Sequence, residues 1–282
     1  MLDAIFTLPY HDLMRKQLFV LFATQWLAHA ALAEVPKTIR ACGDAAEFPP
    51  FQYFERQAGR KTDRVGGFDV ALLRKIMADS GHEIQFELLP WLRCLVKVST
   101  GEFDIAMDGI KSPVRENEFL FSQVPHYSLS PIFLYLKSNR KPGMDSPAAL
   151  RKESVCSQAG YNYAPFGVPD SLIRNRATSI EDSAQMLRLK RCTVMLQQKE
   201  VLRGHAILGG EDLLSDKDFA YEVPAWIRQI DFYFMVSKSL PHRAELLEIL
   251  DLGMARLEKS GEMSRLRNAY YLQPVQTSQK IP

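Results

Sequence analysis

The stretch that decides the fold is residues 66–136, which read GGFDVALLRKIM (66–77), EIQFELLPWLRCL (83–95), GEFDIAMDGIKSPVR (101–115), FLFSQVPHY (119–127) and IFLYL (132–136). The first piece has apolar residues at helical spacing. Short apolar runs typical of buried strands follow, with a second helix between them. Helices that alternate with short apolar strands predict an α/β fold with a parallel sheet, whose ligand crevice lies at the carboxyl ends of the strands.

Polar and aromatic residues cluster where these predicted strands end. Trp91 and Arg93 follow one strand, and the run from Asp108 to Arg115 follows the next. Because the carboxyl ends of parallel strands meet at one edge of the sheet, we expect these side chains to line a pocket for a polar ligand.

The N-terminus predicts export. Arg15 and Lys16 precede the apolar run Leu18–Leu27, and Ala31-Leu32-Ala33 is a typical cleavage site. Met14 is a possible alternative start. The apolar run is too short for a membrane anchor and ends in small residues. We expect a signal peptide over residues 1–33 and a soluble, periplasmic mature protein.

The balance of charged residues argues against a polyanionic partner, and the length of the chain bears on the number of lobes. The chain has 35 Lys and Arg against 33 Asp and Glu, a net charge of +2. Removal of residues 1–33 takes away two bases and two acids, so the mature charge stays +2. Such a balance gives no reason to expect a nucleic-acid partner. The mature length is sufficient for two lobes with separate cores.

Four cysteines remain after cleavage: Cys42, Cys94, Cys156 and Cys192. An exported protein can form disulfides, and four cysteines allow three complete pairings. Cys42 ends the first predicted strand and Cys94 lies in the first turn of a helix after the next strand, so neighbouring parallel strands favour that pair. The pairing of the other two stays open. The cysteine spacing matches no zinc pattern, so we expect no metal and no cofactor.

Several short motifs carry a family resemblance, and they occur in a specific order: Gly67-Phe68-Asp69-Val70, Pro90-Trp91, Gly101-Glu102-Phe103-Asp104, Ser112-Pro113-Val114-Arg115 and Phe121-Ser122. In this order the chain resembles family 3 of the periplasmic solute-binding proteins, which serve polar amino-acid ABC transporters and have the type II periplasmic-binding fold. The resemblance covers about residues 37–273.

The resemblance implies a two-lobed, Venus-flytrap α/β fold. Each lobe has a mostly parallel sheet flanked by helices, and two crossing strands form the hinge. On this chain, lobe one is expected at residues 37–135 plus 236–273 and lobe two at 136–235. Residues 274–282 are a polar tail.

The function implied is the capture of a small polar or carboxylated solute, similar to an amino acid, for an ABC permease in the inner membrane. We expect a monomer that carries out no catalysis. In the family an arginine of the turn after the third strand holds the ligand carboxylate, and that residue is Arg115 here. Trp91 corresponds to an aromatic wall and Asp44 to an acid that meets the ligand amino group, while Phe48 lies in the loop beside it. The full predicted ligand-binding set is Asp44, Phe48, Trp91, Arg93, Asp108, Gly109, Ile110, Arg115, Gly160, Tyr161, Asn162 and Gln198.

The chain departs from the family pattern at the predicted site. Asp108 and Ile110 stand where the family has a glycine and a small hydroxyl residue, and Tyr161 occupies a turn that usually carries serine or threonine. In the family, an acidic residue of lobe two contacts the ligand's ammonium group; the corresponding position in this chain is Gln197 or Gln198, so that acid is missing. A poorly neutralised ammonium in a dry cleft is costly. Either Asp44 and Asp108 supply the charge, or the ligand is not a standard amino acid.

Two alternatives remain open at this stage. The same fold resembles cyclohexadienyl dehydratases, in which a carboxylate acts as general acid; Asp44, Glu47 or Asp108 fits that role, with Arg115 on the substrate carboxylate. The other alternative is an accessory or sensor protein whose cleft no longer binds the family's ligands.

Overall fold

The structure is a computed structural model that describes residues 34–139, 141–173 and 175–271. The predicted signal peptide and the polar tail lie outside the described residues. Within those ranges, no helix combines the length and the apolar character needed to cross a membrane.

Strands and helices alternate along most of the described chain. The strands are β1 (Thr38–Asp44), β2 (Tyr53–Gln57), β3 (Arg60–Gly66), β4 (Glu83–Leu89), β5 (Ile105–Gly109), β6 (Phe119–Phe121), β7 (Tyr127–Leu129), β8 (Pro131–Leu136), β9 (Val155–Gln158), β10 (Asn175–Ala177), β11 (Val194–Gln198), β12 (Phe219–Glu222) and β13 (Ile230–Ser237). The helices are α1 (Phe68–Asp79), α2 (Trp91–Ser99), α3 (Pro113–Glu118), α4 (Pro147–Leu150), α5 (Ile180–Arg188), α6 (Lys199–Ile207), α7 (Arg243–Ser260) and α8 (Glu262–Tyr271).

The first sheet has the strand order β4-β1-β5-β13-β6, and β7 pairs with β13 beside it. β1 runs parallel to both β4 and β5, whereas β13 is antiparallel to its neighbours. Helix α1 contacts β4 and also packs on α7 and α8 from the far end of the chain. Its apolar face is fully buried through Phe68, Leu72 and Ile76, as the helical spacing predicts. The C-terminal helices therefore complete the first sheet's core.

The second sheet has the order β10-β9-β11-β8-β12. β9, β10 and β11 are mutually parallel, and β8 is antiparallel to β11 and β12. Helices α5 and α6 contact β11. The mixed α/β character of both sheets agrees with the predicted fold class.

The chain crosses between the sheets twice. It leaves the first sheet after β7 and enters the second at β8, with only Ser130 between them, and it returns between β12 and β13. The lobe boundaries expected at 135/136 and 235/236 stay predictions. β8 and β13 are continuous apolar runs, and an apolar run alone does not tell which of two sheets it joins.

Each sheet has its own disulfide. Cys42 of β1 is bonded to Cys94 of α2, with Cα atoms 5.7 Å apart, which is the pairing that the predicted strand order favours. Cys156 of β9 is bonded to Cys192 just before β11, with a Cα separation of 5.6 Å. Both bonds tie a central parallel strand to a neighbouring segment.

Candidate functional site

A cavity lies between the two sheets. Its empty volume is about 410 Å³, including the part that opens to solvent. The residues that line it are Asp44, Phe48, Gln52, Trp91, Asp108, Ile110, Arg115, Tyr161, Asn162, Tyr163, Gln198 and Phe232. Most of them lie at or just after strand ends, where an open α/β sheet places its ligands.

Arg115 is the cation of the cavity lining. Ser112 caps helix α3, because its Oγ accepts from the Arg115 backbone N–H. The guanidinium donates from one nitrogen to the Ile110 carbonyl at 3.2 Å and from the other to the Gly160 carbonyl at 3.1 Å. It also lies 5.8 Å from the centroid of the Trp91 ring. Burial lowers the pKa of Arg115 to about 10. In the described part of the chain, no carboxylate forms an ion pair with it.

Asp44 ends β1 and lines the cavity on the first-sheet side. Its Oδ1 accepts from the Ala46 backbone N–H at 3.0 Å, and its Oδ2 accepts from the Tyr161 hydroxyl at 2.9 Å. Burial raises the pKa of Asp44, against the lowering effect of these hydrogen bonds. Tyr161 follows a strand of the second sheet, so its hydrogen bond to Asp44 crosses the cleft. The bond from Arg115 to Gly160 also crosses it, and the two together hold the cleft closed.

Amide groups form the second-sheet side of the cavity. The Gln197 side chain donates to Gln158 Oε1 at 2.9 Å and accepts from the Gln198 backbone N–H at 3.0 Å. Gln198 then projects its own amide into the cavity. Asn162 uses its Oδ1 to accept from the Ala164 backbone N–H. This side therefore offers hydrogen-bonding groups without formal charge.

Several buried polar atoms of the lining have no hydrogen-bond partner in the described residues: Gln52 Oε1, Asp108 Oδ2, Asn162 Nδ2 and Gln198 Oε1. A buried polar atom without a partner costs about 1–3 kcal/mol. Three of these atoms are acceptors and one is a donor, so a solute with both donors and acceptors would satisfy them.

Aromatic rings form the apolar wall of the cavity. The Phe48 ring lies 5.4 Å from the Phe232 ring and 6.1 Å from the Tyr161 ring, measured between centroids. Trp91 begins helix α2 and is 6% exposed. This wall would shield the polar contacts of a ligand from water, which strengthens them.

Asp108 lies at the inner end of the cavity. Its Oδ1 accepts a hydrogen bond from the Tyr127 hydroxyl, and burial raises its pKa. Interactions with Asp69, Tyr127 and Gln52 oppose this rise in the pKa. Behind Asp108 lie Asp69 and His126, which are buried and do not line the cavity.

The structure brings most of the predicted site residues together. The cavity is lined by Asp44, Phe48, Trp91, Asp108, Ile110, Arg115, Tyr161, Asn162 and Gln198. Gly160 contributes its carbonyl to Arg115 and lies against Trp91 and Leu92, so that a Cβ atom there would meet Leu92 at 2.8 Å.

Two predicted residues lie elsewhere. Arg93 is exposed and does not line the cavity. It follows Trp91 by two positions within helix α2, and each helical residue turns by about 100°, so the two side chains point to nearly opposite sides. Gly109 is paired with Tyr233 of β13, and its Cα faces the Met235 side chain rather than the cavity.

Sequence reasoning did not find Gln52, Tyr163 and Phe232. Gln52 and Tyr163 lie close in sequence to predicted site residues, in loops with no periodic pattern. Phe232 belongs to a strand that returns from the second sheet, and its apolar run shows only that the strand is buried. The one available signal for Phe232 was that it is an aromatic residue near the start of a strand that follows a crossing between the sheets.

The sequence model of the bacterial extracellular solute-binding proteins, family 3, matches residues 41–273. The arginine-binding extracellular protein ArtP of Bacillus subtilis (strain 168) is 24% identical over 119 residues, which are 42% of this chain and 43% of that protein. The matched region thus spans less than half of this relative's length.

Solved structures share the fold at low identity. The amino acid ABC transporter substrate-binding protein AbpA of Streptococcus pneumoniae Canada MDR_19A, bound to L-arginine, superposes with a TM-score of 0.64 at 20% identity, covering 84% of this chain and 95% of that one. The ancestral amino acid-binding protein AncCDT-1, a precursor of cyclohexadienyl dehydratase, gives a TM-score of 0.62 at 20% identity, with coverage of 83% and 96%.

Proposed function

Because the chain belongs to the bacterial extracellular solute-binding proteins of family 3, we propose that it captures a small carboxylated solute, of the amino-acid type, for an ABC transporter. The solute enters between the two sheets, and the cleft closes over it by a hinge motion at the two crossings. The closed, loaded form is then presented to a permease.

The observation that carries this proposal is the state of Arg115. Its guanidinium lines the cavity, is partly buried, and has only two backbone carbonyls as hydrogen-bond acceptors among the described residues. A planar guanidinium matches a carboxylate with two parallel hydrogen bonds, and such charge-assisted bonds are roughly twice as strong as neutral ones. A ligand carboxylate would give this cation the anionic partner that the described residues do not provide.

The opposite end of the solute is matched by acids of the first sheet. Asp44 and Asp108 line the same cavity as Arg115, and the Gln198 amide oxygen has no partner among the described residues. These oxygens are acceptors for an ammonium group. An amino acid fits when its carboxylate meets Arg115 and its ammonium meets Asp44 or Asp108. This arrangement would replace the second-sheet acid that is absent at Gln198.

We propose further that the protein is exported to the periplasm, acts as a monomer, and releases its solute chemically unchanged. The predicted signal peptide and the extracellular character of the family support export. The relative ArtP is described as arginine-binding, which makes arginine the first solute to test, followed by other amino acids.

A thermal-shift screen of the mature chain tests the proposal. Amino acids, organic acids and prephenate are added one at a time, and each hit is titrated by calorimetry. A true ligand at 100 times its Kd should stabilise the fold by about 2.7 kcal/mol, and the recovered solute should be unchanged by mass spectrometry. Turnover of prephenate would instead identify an enzyme. No stabilisation by any of these solutes would favour the accessory or sensor alternative.

A further inference from the structure

Three potential metal ligands lie together beside the inner end of the cavity. Asp69 is in the first turn of α1, Asp108 is in β5, and His126 directly precedes β7. One ligand atom from each residue lies within 4.8 Å of the others. Asp69, Asp108 and His126 are 0%, 8% and 1% exposed, respectively. These three residues form the inner triad.

The hydrogen bonds of the inner triad are incomplete. The Tyr127 hydroxyl donates to Asp108 Oδ1 and lies 3.4 Å from Asp69 Oδ2, but it has only one proton to give. His126 Nε2 lies 3.2 Å from Asp69 Oδ1 without the alignment of a hydrogen bond. Asp108 Oδ2 and His126 Nδ1 have no hydrogen-bond partner in the described residues. Each of the three side chains therefore has at least one buried oxygen or nitrogen atom that could bind a metal and that makes no hydrogen bond to the described residues.

The charge of the inner triad is also uncompensated. Burial and the neighbouring Asp108 raise the pKa of Asp69. Two adjacent carboxylates both stay ionised only when a cation lies between them, and otherwise they share a proton. In the ranges that the structure describes, no lysine or arginine forms an ion pair with either acid. Burial of unpaired charge is among the most expensive arrangements in a protein.

We propose that the inner triad binds one divalent transition-metal cation. Two carboxylate oxygens and one imidazole nitrogen form a mixed donor set that suits Zn²⁺ and its neighbours in the first transition row, whereas Ca²⁺ and Mg²⁺ prefer ligands that are all oxygen. The cation would neutralise the two adjacent carboxylates and occupy the lone pairs that now lack partners.

Geometry and access both permit such a cation. Bonds of about 2.0–2.2 Å place tetrahedral donor atoms about 3.3–3.6 Å apart, so the three side chains need to move together by only about 1 Å. The His126 ring is already fixed by stacking on Phe234, with centroids 3.9 Å apart and an angle of 6° between the planes. Asp108 lines the cavity, so a cation reaches the triad from the cleft. The inference does not depend on the identity of the solute.

The test uses the tag-free mature chain, stripped with a chelator and dialysed. It is loaded with Zn²⁺, Mn²⁺ or Ca²⁺; bound metal is counted by mass spectrometry after desalting, and thermal unfolding is followed with and without each ion. We expect one Zn²⁺ per chain and a higher midpoint with Zn²⁺, while Ca²⁺ gives neither effect.

Variants separate the inner triad from surface sites. Asp108→Asn and His126→Phe should each weaken Zn²⁺ binding by more than the roughly 10–100-fold that loss of a second-shell partner costs. The phenylalanine keeps the stacking on Phe234, so at least one variant retains the fold; circular dichroism of the stripped protein checks this. His242→Gln is the matched control. His242 is also buried, with Nε2 3.5 Å from Asp104, but no second carboxylate of residues 34–139, 141–173 or 175–271 joins that pair.

The outcomes are distinct. Stoichiometric Zn²⁺ that is lost in Asp108→Asn and in His126→Phe, and kept in His242→Gln, supports the inference. Absence of Zn²⁺ from the unsubstituted chain overturns it. Equal Zn²⁺ binding by the unsubstituted chain and both triad variants also overturns it, because the metal then sits elsewhere. None of these readouts uses the solute, so failure here leaves the proposed function untouched.

Discussion

The two sides of the cavity differ in charge. The side built on the first sheet carries Asp44, Asp108 and Arg115, whereas the side built on the second sheet presents the amides of Asn162 and Gln198 and the phenol of Tyr161. Charged groups discriminate strongly between ligands, because a buried charge that meets no opposite charge on the ligand costs much free energy. An unpaired neutral group costs less, so neutral groups discriminate less. We therefore expect the first sheet to select the solute and the second sheet to close over it.

The largest expected effect comes from removal of the selecting cation. Arg115→Ala should weaken binding of the carboxylated solute by about 2–5 kcal/mol, mostly through faster release, because the ligand carboxylate is left buried without its partner. Titration calorimetry and dissociation kinetics measure this loss.

Arg93→Ala is the control for that change. It removes the same charge from the same region of the first sheet, but Arg93 is exposed and lies outside the cavity lining. Its affinity should equal that of the unsubstituted protein. Equal losses in the two variants would mean that general charge, rather than a clamp in the cavity, attracts the solute.

The two disulfides allow each side to be loosened separately. Replacement of both Cys42 and Cys94 by alanine should lower the free energy of unfolding by about 2–4 kcal/mol, and the same replacement of Cys156 and Cys192 should cost a similar amount. Only the first pair joins the strand of Asp44 to the helix of Trp91. We therefore expect a clear loss of affinity in the first double variant and a smaller one in the second, measured by denaturant unfolding and calorimetry.

Tyr161→Phe removes a hydrogen bond between the two sides. The Tyr161 hydroxyl donates to the Asp44 carboxylate, and hydrogen bonds to charged groups contribute about 1.5–3 kcal/mol. We expect the closed form to lose that amount, so the solute-free protein should have a larger radius of gyration in X-ray scattering. Tyr163→Phe is the matched control, because the Tyr163 hydroxyl accepts from Gln158 N–H within the second-sheet side. An expansion of both variants to the same degree would contradict the prediction.

The smallest effect concerns pH. Burial raises the pKa of Asp44 above its usual value of 3.8, so its contribution to stability is complete below that value and is lost as the pH rises through the pKa in the folded protein. Asparagine cannot ionise. The free energy of unfolding of Asp44→Asn relative to the unsubstituted protein should therefore increase between pH 3.5 and pH 7, as followed by denaturant titration. A difference independent of pH would show that Asp44 keeps an ordinary pKa.

The fold was largely predictable, because its elements have strong local patterns. Helix α1 shows its buried face in the spacing of Phe68, Leu72 and Ile76, and short apolar runs marked β1 and β5. The position of the first crossing could not be read from the sequence, because the residues around Ser130 carry no local signal for a change of sheet. The pairing of Cys156 with Cys192 stayed open for a similar reason, since it depends on which strands become neighbours.

The residues that line the cavity could be predicted from the sequence where they follow the ends of strands, and less well where they lie elsewhere. Trp91, Asp108 and Arg115 were found because the edge of a parallel sheet collects such positions. Arg93 lies outside the cavity lining, because residues two positions apart on a helix point to nearly opposite sides. Phe232 was missed because its strand reaches the cavity only after the chain has returned from the second sheet, a relation between distant segments that no local pattern records.

The discontinuity of the first sheet has a consequence for how a nascent chain matures. The strands β8 to β12 of the second sheet follow one another along the chain without interruption. In the first sheet, β5 pairs with β13, and α1 packs on α7 and α8, so these early elements lack their partners until the C-terminal part of the chain has been synthesised. A chain emerging from its N-terminus can therefore complete the later sheet while the earlier one still has an open edge. Until β13 arrives, β5 has an unpaired backbone edge that invites aggregation. Chaperone dependence and early proteolysis should thus concentrate on the half of the protein that is made first and finished last.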